Sequence, residues 1–181
     1  MYDYAYLQEY EKRAATDLGK EIYKERWRYV QEFVQKGTLL DYGCATGAFH
    51  RSAPKSFDAY GFDINPFAGF DHPHPYNGVL DILTMWDSIE HLIDPTRPIV
   101  KHRPKWLFIS TPNIDTAGPT VDDVFNWKHF KPGEHIHYFN LKSLTAVLGC
   151  VGYKVVGYSF EEGALRDPKN PKAILSVAAK R

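Results

Sequence analysis

The first residues able to do chemistry close a short apolar run: Asp41-Tyr42-Gly43-Cys44-Ala45-Thr46-Gly47. The two glycines let the backbone approach a ligand closely, and a helix beginning just after them presents free N–H groups. The spacing is Gly-x-x-x-Gly. It is not the Gly-x-Gly-x-x-Gly of a dinucleotide pyrophosphate loop, and the Lys-Ser/Thr of a phosphate-binding loop is missing. Asp41, just ahead of the first glycine, repels phosphate and favours an ammonium group or ordered water. Asp63 lies 20 residues beyond Gly43 at the end of the next apolar run, where a carboxylate accepts both hydroxyls of a ribose. A third group is Glu134-His135-Ile136-His137, with Glu90-His91 upstream. Imidazoles of this kind exchange protons near neutral pH, and on an extended segment His135 and His137 share one face.

A ligand with a ribose, a cationic amino-acid end and no phosphate satisfies both acids, and S-adenosylmethionine is such a ligand. Methyl transfer from a sulfonium is an in-line displacement in which proximity supplies much of the rate, while an oxygen acceptor also needs a base. His135 is the preferred base, with His91 and His137 as further candidates. The competing reading is that Glu134 and His135 only tie their loop to a helix. Glu90-His91, or His129 with His135 and His137, offers metal-ligand types, but no zinc-like spacing appears and no metal is assigned. His72 and His74 in His-Pro-His-Pro read as an exposed loop. Cys44 reads as a small packing residue, since no base adjoins it in sequence.

The elements that position these groups alternate. Residues 7–36 read as one helix, with Tyr23, Trp27, Val30 and Val34 on an apolar stripe and Gly37 as its stop. Strands are expected at Thr38–Tyr42, Ala59–Asp63, Val79–Trp86, Trp106–Thr111, Tyr153–Phe160 and Ala173–Lys180. A short helix follows Gly47 and stops before Pro54. Asn140 reads as the N-cap of a helix carrying Leu141, Leu144, Val147 and Leu148, which Gly149 and Gly152 end. Residues 161–172 read as a polar loop. This alternation implies an α/β fold with a mostly parallel sheet and an antiparallel C-terminal edge. In such a sheet, ligands bind beyond the carboxyl ends of the strands.

The ordered set LLDYGCATG (39–47), YGFD (60–63), DILTMWDSIEHL (81–92) and FISTPN (108–113) resembles the class I S-adenosylmethionine-dependent methyltransferases. With PGEHIHYFNLKSL (132–144) it is most similar to the branch of ubiquinone-type O-methyltransferases and sugar or small-molecule methyltransferases. The resemblance implies a Rossmann-like core over 38–181, a helical cap over 1–37, and a single domain. It implies that Asp41, Gly43, Cys44, Ala45 and Gly47 wrap the methionine part of the cofactor and that Asp63 binds the ribose. Ile64 would lie on the adenine, with Met85, Trp86 and Asp87 flanking the adenine and the methionine chain. Only 17 residues separate Asp63 from Asp81, where the family usually places a further helix and strand. An abbreviated sheet edge is therefore expected, with Asp71 as a stand-in for the adenine-contacting acid.

Composition narrows the partners. Lys plus Arg and Asp plus Glu each number 22, without the basic excess of a polynucleotide binder. No apolar run reaches the ~18 residues of a membrane helix, the chain start lacks the order of a signal peptide, and two cysteines suit a reducing compartment. A cytoplasmic enzyme acting on a small molecule or sugar is expected. The acceptor site would be drawn from the N-terminal helix, residues 112–139 and residues 161–172. Trp86-Asp87-Ser88 stands where base N-methylating enzymes carry Asn/Asp-Pro-Pro-Tyr/Phe. Two alternatives stay open: a cofactor-binding protein without catalysis, and a nucleotide-cofactor oxidoreductase on a related fold.

Overall fold

The computed structural model of the chain describes residues 4–65, 68 and 80–181. The expected single N-terminal helix is two helices, α1 (Tyr4–Ala15) and α2 (Asp17–Phe33). Thr16 between them is extended, and its hydroxyl accepts the Gly19 amide at 3.0 Å. A Cβ on Gly19 would lie 2.3 Å from the Arg13 carbonyl oxygen. The close joint therefore takes a glycine where a continuous helix would not need one. The apolar stripe survives on α2, where Trp27, Tyr29 and Val30 are buried. Gly37 is not the helix stop; it opens the first strand.

The strands are β1 (Gly37–Tyr42), β2 (Phe57–Phe62), β3 (Ile82–Trp86), β4 (Trp106–Pro112), β5 (Lys154–Ser159) and β6 (Ile174–Lys180). They form one sheet in the order β2-β1-β3-β4-β6-β5. The first four run parallel, and β6 lies antiparallel between β4 and β5, as the alternation implied. Among the described residues β2 is the outer strand. The expected stand-in Asp71, with His72 and His74, lies outside the described residues.

Successive strand residues face opposite sides of a sheet, and here both sides are covered. Leu40, Leu83, Met85, Leu107 and Ile109 enter one core with Leu144 and Leu148 of α6 (Leu141–Cys150). Their neighbours Leu39, Ile82, Trp86 and Phe108 enter the other, with Trp27 and Val30 of α2. The α6 helix begins as read: the Asn140 side chain accepts the Ser143 amide at 2.9 Å, and the Ser143 hydroxyl accepts the Asn140 amide at 3.0 Å. At the far end of the sheet, Asp81 accepts the Thr38 amide at 3.0 Å and the Lys105 ammonium at 2.7 Å.

The remaining helices are α3 (Ala48–Arg51), α4 (Arg97–His102), α5 (Val121–Asn126) and α7 (Glu161–Arg166), with a 3-10 turn at Ile89–His91. The last helix corrects the expected polar loop. It packs backbone against backbone, since a Cβ on Gly163 would meet the Pro171 carbonyl at 2.2 Å. Side-chain periodicity over six residues is too short to announce it.

Candidate functional site

Beyond β1 the chain turns through three residues with positive φ: Gly43 at 82°, Ala45 at 45° and Gly47 at 74°. Gly43 is needed for space as well, because a Cβ there would lie 2.6 Å from the Ser88 Cβ. The Gly43 and Cys44 amides donate to the Phe62 carbonyl at 2.7 and 3.1 Å. The Ala45 amide donates to Asp63 Oδ2 at 2.7 Å, while Asp63 Oδ1 accepts the Asn65 amide at 2.8 Å. These bonds fix the carboxylate against the glycine loop and leave each oxygen a lone pair for a hydroxyl.

Asp41 pairs in register with Thr84 on β3, so the Thr84 hydroxyl donates to Asp41 Oδ1 at 2.8 Å. Burial pushes this carboxyl up to about 7, although Thr84 and Arg26 favour its charged form. The site thus holds an acid that ionises readily when a cation arrives. His50 lies 3.9 Å from Asp41, and burial, aided by Arg51, lowers it to about 4, so it is neutral. The Cys44 thiol is pushed far up by burial, consistent with a packing role.

At the end of β3, Asp87 takes a left-handed conformation at φ 49°. Its carboxylate accepts Arg26 Nη2 at 2.9 Å and pairs with Arg166 Nη2. Arg26 also grips Glu162 through Nε at 3.1 Å and Nη2 at 2.7 Å, and Arg166 pairs with Glu162. Burial raises the Asp87 carboxyl, but Arg166 and Arg26 outweigh it and hold it below the ordinary range. Three elements distant in sequence, α2, β3 and α7, meet in this cluster.

Glu90, three residues on, is in the opposite state. It is 1% exposed, its Oε2 makes no hydrogen bond among the described residues, and burial with the charge of Asp87 holds it well above the ordinary range. The Glu90 carbonyl accepts the amides of Ile136 and His137 at 2.8 and 3.1 Å, which brings the histidine segment onto β3. The His91 Nδ1–H donates to the Glu134 carbonyl at 2.9 Å, and Nε2 lies 4.0 Å from Glu90 Oε1. The His91 and His135 rings stand edge to face at 4.8 Å. His135 is buried, with Nδ1 unpartnered, and burial followed by His91 and Lys131 lowers its pKa. Ligand atoms of Glu90, His91 and His135 all lie within 4.8 Å of one another. Buried atoms of Thr111, Trp127, His129, His137 and Tyr138 also make no hydrogen bond among the described residues.

The model of the family described as "Methyltransferase domain" matches residues 8–158. The chain belongs to that family. Solved structures agree on the fold. A SAM-dependent methyltransferase from Thermotoga maritima, described as a possible histamine N-methyltransferase, is 16% identical with a TM-score of 0.65, covering 97% of this chain and 96% of that one. The magnesium protoporphyrin IX methyltransferase of Synechocystis with bound SAH is 13% identical at a TM-score of 0.64, covering 98% and 95%. A small RNA methyltransferase is 19% identical at 0.61; the match covers 90% of this chain but spans 25% of that enzyme. No curated protein matches the chain.

This chain is therefore a SAM-dependent methyltransferase with S-adenosylmethionine as its cofactor, and the oxidoreductase alternative falls. The residues present fit the cofactor: the strained glycine loop leaves room for backbone approach, Asp63 offers lone pairs suited to ribose hydroxyls, and Asp41 offers a carboxyl suited to an ammonium. Ile64 is 79% exposed, open to a flat ring.

The Met85 and Trp86 side chains are buried in the two cores, Trp86 against Phe49 at 5.4 Å. His137 faces inward with Nε2 buried. Arg26, Glu162, Arg166 and Thr111 were not found from sequence. Arg26 left one trace: a charge on the apolar stripe of α2, three residues after Tyr23 and four before Val30. Among the described residues no helix is long and apolar enough to cross a membrane.

Proposed function

We propose that this methyltransferase acts on a hydroxyl oxygen of a small molecule or sugar in the cytoplasm, with His135 as the base. The observation that carries the reading is the buried, unpartnered Nδ1 of His135, on a segment tied to the end of β3. The lowered pKa keeps the ring neutral near pH 7, able to take the acceptor's proton as the oxygen–carbon bond forms. The cofactor supplies an electrophilic methyl group whose bond to sulfur breaks in the same displacement. Asp41, Asp63 and the 43–47 loop hold it, and Asp87 borders it. The balanced charge of the chain favours a small acceptor over a polynucleotide, and two free cysteines suit a reducing compartment.

The test is calorimetric titration with S-adenosylmethionine and S-adenosylhomocysteine, followed by methyl transfer to a panel of phenols and sugars. With an acceptor in hand, His135→Gln should lower kcat by about 10²- to 10⁴-fold with cofactor affinity unchanged. Unchanged turnover would remove His135 as the base. Micromolar cofactor binding without transfer to any acceptor would favour a protein that binds the cofactor but does not catalyse.

A second reading rests on the convergence of Glu90, His91 and His135. The three would hold a divalent cation that polarises the acceptor oxygen, making His135 a ligand. Titration of EDTA-treated protein with magnesium, manganese and zinc separates the readings. Binding that is lost in Glu90→Gln favours the cation, and absence of binding returns His135 to the role of base.

A further inference from the structure

We propose that Glu162 is a positioning residue for the cationic cofactor, cancelling the excess positive charge of the two arginines that hold Asp87. The inference rests on the reading that the strand-end site takes S-adenosylmethionine.

The cluster contains two guanidiniums and two carboxylates, and its charge sums to zero. Side-chain exposure is 9% for Arg26, 2% for Glu162 and 28% for Asp87 and Arg166. Glu162 is the deepest member and binds both arginines. The cluster also adjoins the glycine loop. Ser88, next to Asp87, packs against Gly43, and its hydroxyl donates to the Tyr42 carbonyl at 2.9 Å. Arg26 acts electrostatically on Asp41, and both act on Tyr23. Without Glu162, one uncompensated positive charge would remain beside the site in a medium that screens it poorly. Both arginines would then have Asp87 as their sole carboxylate in the cluster.

S-adenosylmethionine and S-adenosylhomocysteine differ by one methyl group and one positive charge at sulfur. The ratio of their affinities therefore reads the local potential, whereas loss of shape or rigidity lowers both alike. In Glu162→Gln the cluster carries +1, and the ratio should fall against the sulfonium by on the order of tenfold. In Arg166→Gln it carries −1, and the ratio should move the other way. In the double variant the sum returns to zero, and the ratio should return to that of the wild type. Calorimetry on each variant, with thermal unfolding to identify the folded ones, makes the test. If Glu162→Gln does not fold, Arg166→Gln and the double variant still order the ratios.

Ratios that stay within twofold of the wild type in the folded single variants, or a double variant that fails to return, would overturn the proposal while leaving the cofactor assignment standing. A wild-type protein that binds neither ligand would overturn the cofactor site and this inference together.

Discussion

On the α2–α7 side of the β3 terminus, each carboxylate has a cation: Asp87 meets two guanidiniums and Glu162 meets the same two. On the side facing residues 127–138, Glu90 has its Oε2 buried without a hydrogen bond, amid imidazole, indole and hydroxyl groups in the same condition. Only Ser88 and Ile89 separate Asp87 from Glu90, and their carboxyls move to opposite sides of the ordinary range. Burial alone does not set a charge state; the deciding factor is whether a fixed cation accompanies the burial. In the first region both carboxylates are paired with guanidiniums of the chain itself. In the second, the proposed base and its neighbours hold buried polar atoms without hydrogen bonds among the described residues.

The largest expected effect comes from breaking the saturated side. Arg26→Met leaves buried Glu162 and half-buried Asp87 with one guanidinium, and urea unfolding should show a loss of about 3–5 kcal/mol. A smaller loss than 1 kcal/mol would mean that the cluster is far wetter than its geometry indicates. Asp41→Asn sharpens the contrast through pH. Its folded pKa of about 7 is raised above the unfolded value, so the wild type loses stability as pH rises from about 4 through 7. The variant should therefore gain ~1–3 kcal/mol relative to wild type at pH 8 and little at pH 4, while binding the cofactor more weakly. Unfolding curves at the two pH values decide it.

Glu90→Gln should change stability by less than about 1 kcal/mol at pH 4, where the carboxyl it replaces is largely protonated in folded and unfolded chain alike. With a raised folded pKa, the wild type should fall behind this variant as pH increases. A large loss at pH 7 would show Glu90 to be charged and would dissolve the comparison. Ala45→Gly is the smallest. It relieves a left-handed alanine and should raise stability by ~0.5 kcal/mol, read as a small increase in the thermal midpoint.

The parts legible from sequence are those encoded locally. The glycine loop, Asp63 at a strand end, the Asn140 cap and the positions of the strands follow from glycine spacing, capping residues and apolar runs, each spanning a few residues. The charge cluster was not legible, because Arg26 and Glu162 are 136 residues apart and nothing in their immediate neighbours marks the pairing. The break at Thr16 was hidden for a related reason: the apolar stripe of Tyr23, Trp27 and Val30 lies wholly on α2 and carries no information about a turn upstream of it. The burial of Met85 and Trp86 in opposite cores was not legible from the run itself, because a doubly covered sheet uses both faces of β3 for packing.

The Asp81 clasp bears on the order in which the molecule assembles. Its two bonds join β1, β3 and β4 across sequence separations of 43 and 24 residues, so neither can close until non-local parallel pairing has occurred, the slow part of forming such a sheet. The β5–β6 pair is antiparallel and nearer in sequence and can form without waiting for it. The Thr38 amide proton is therefore a clock: its protection from exchange during refolding should lag behind that of the β5–β6 amides.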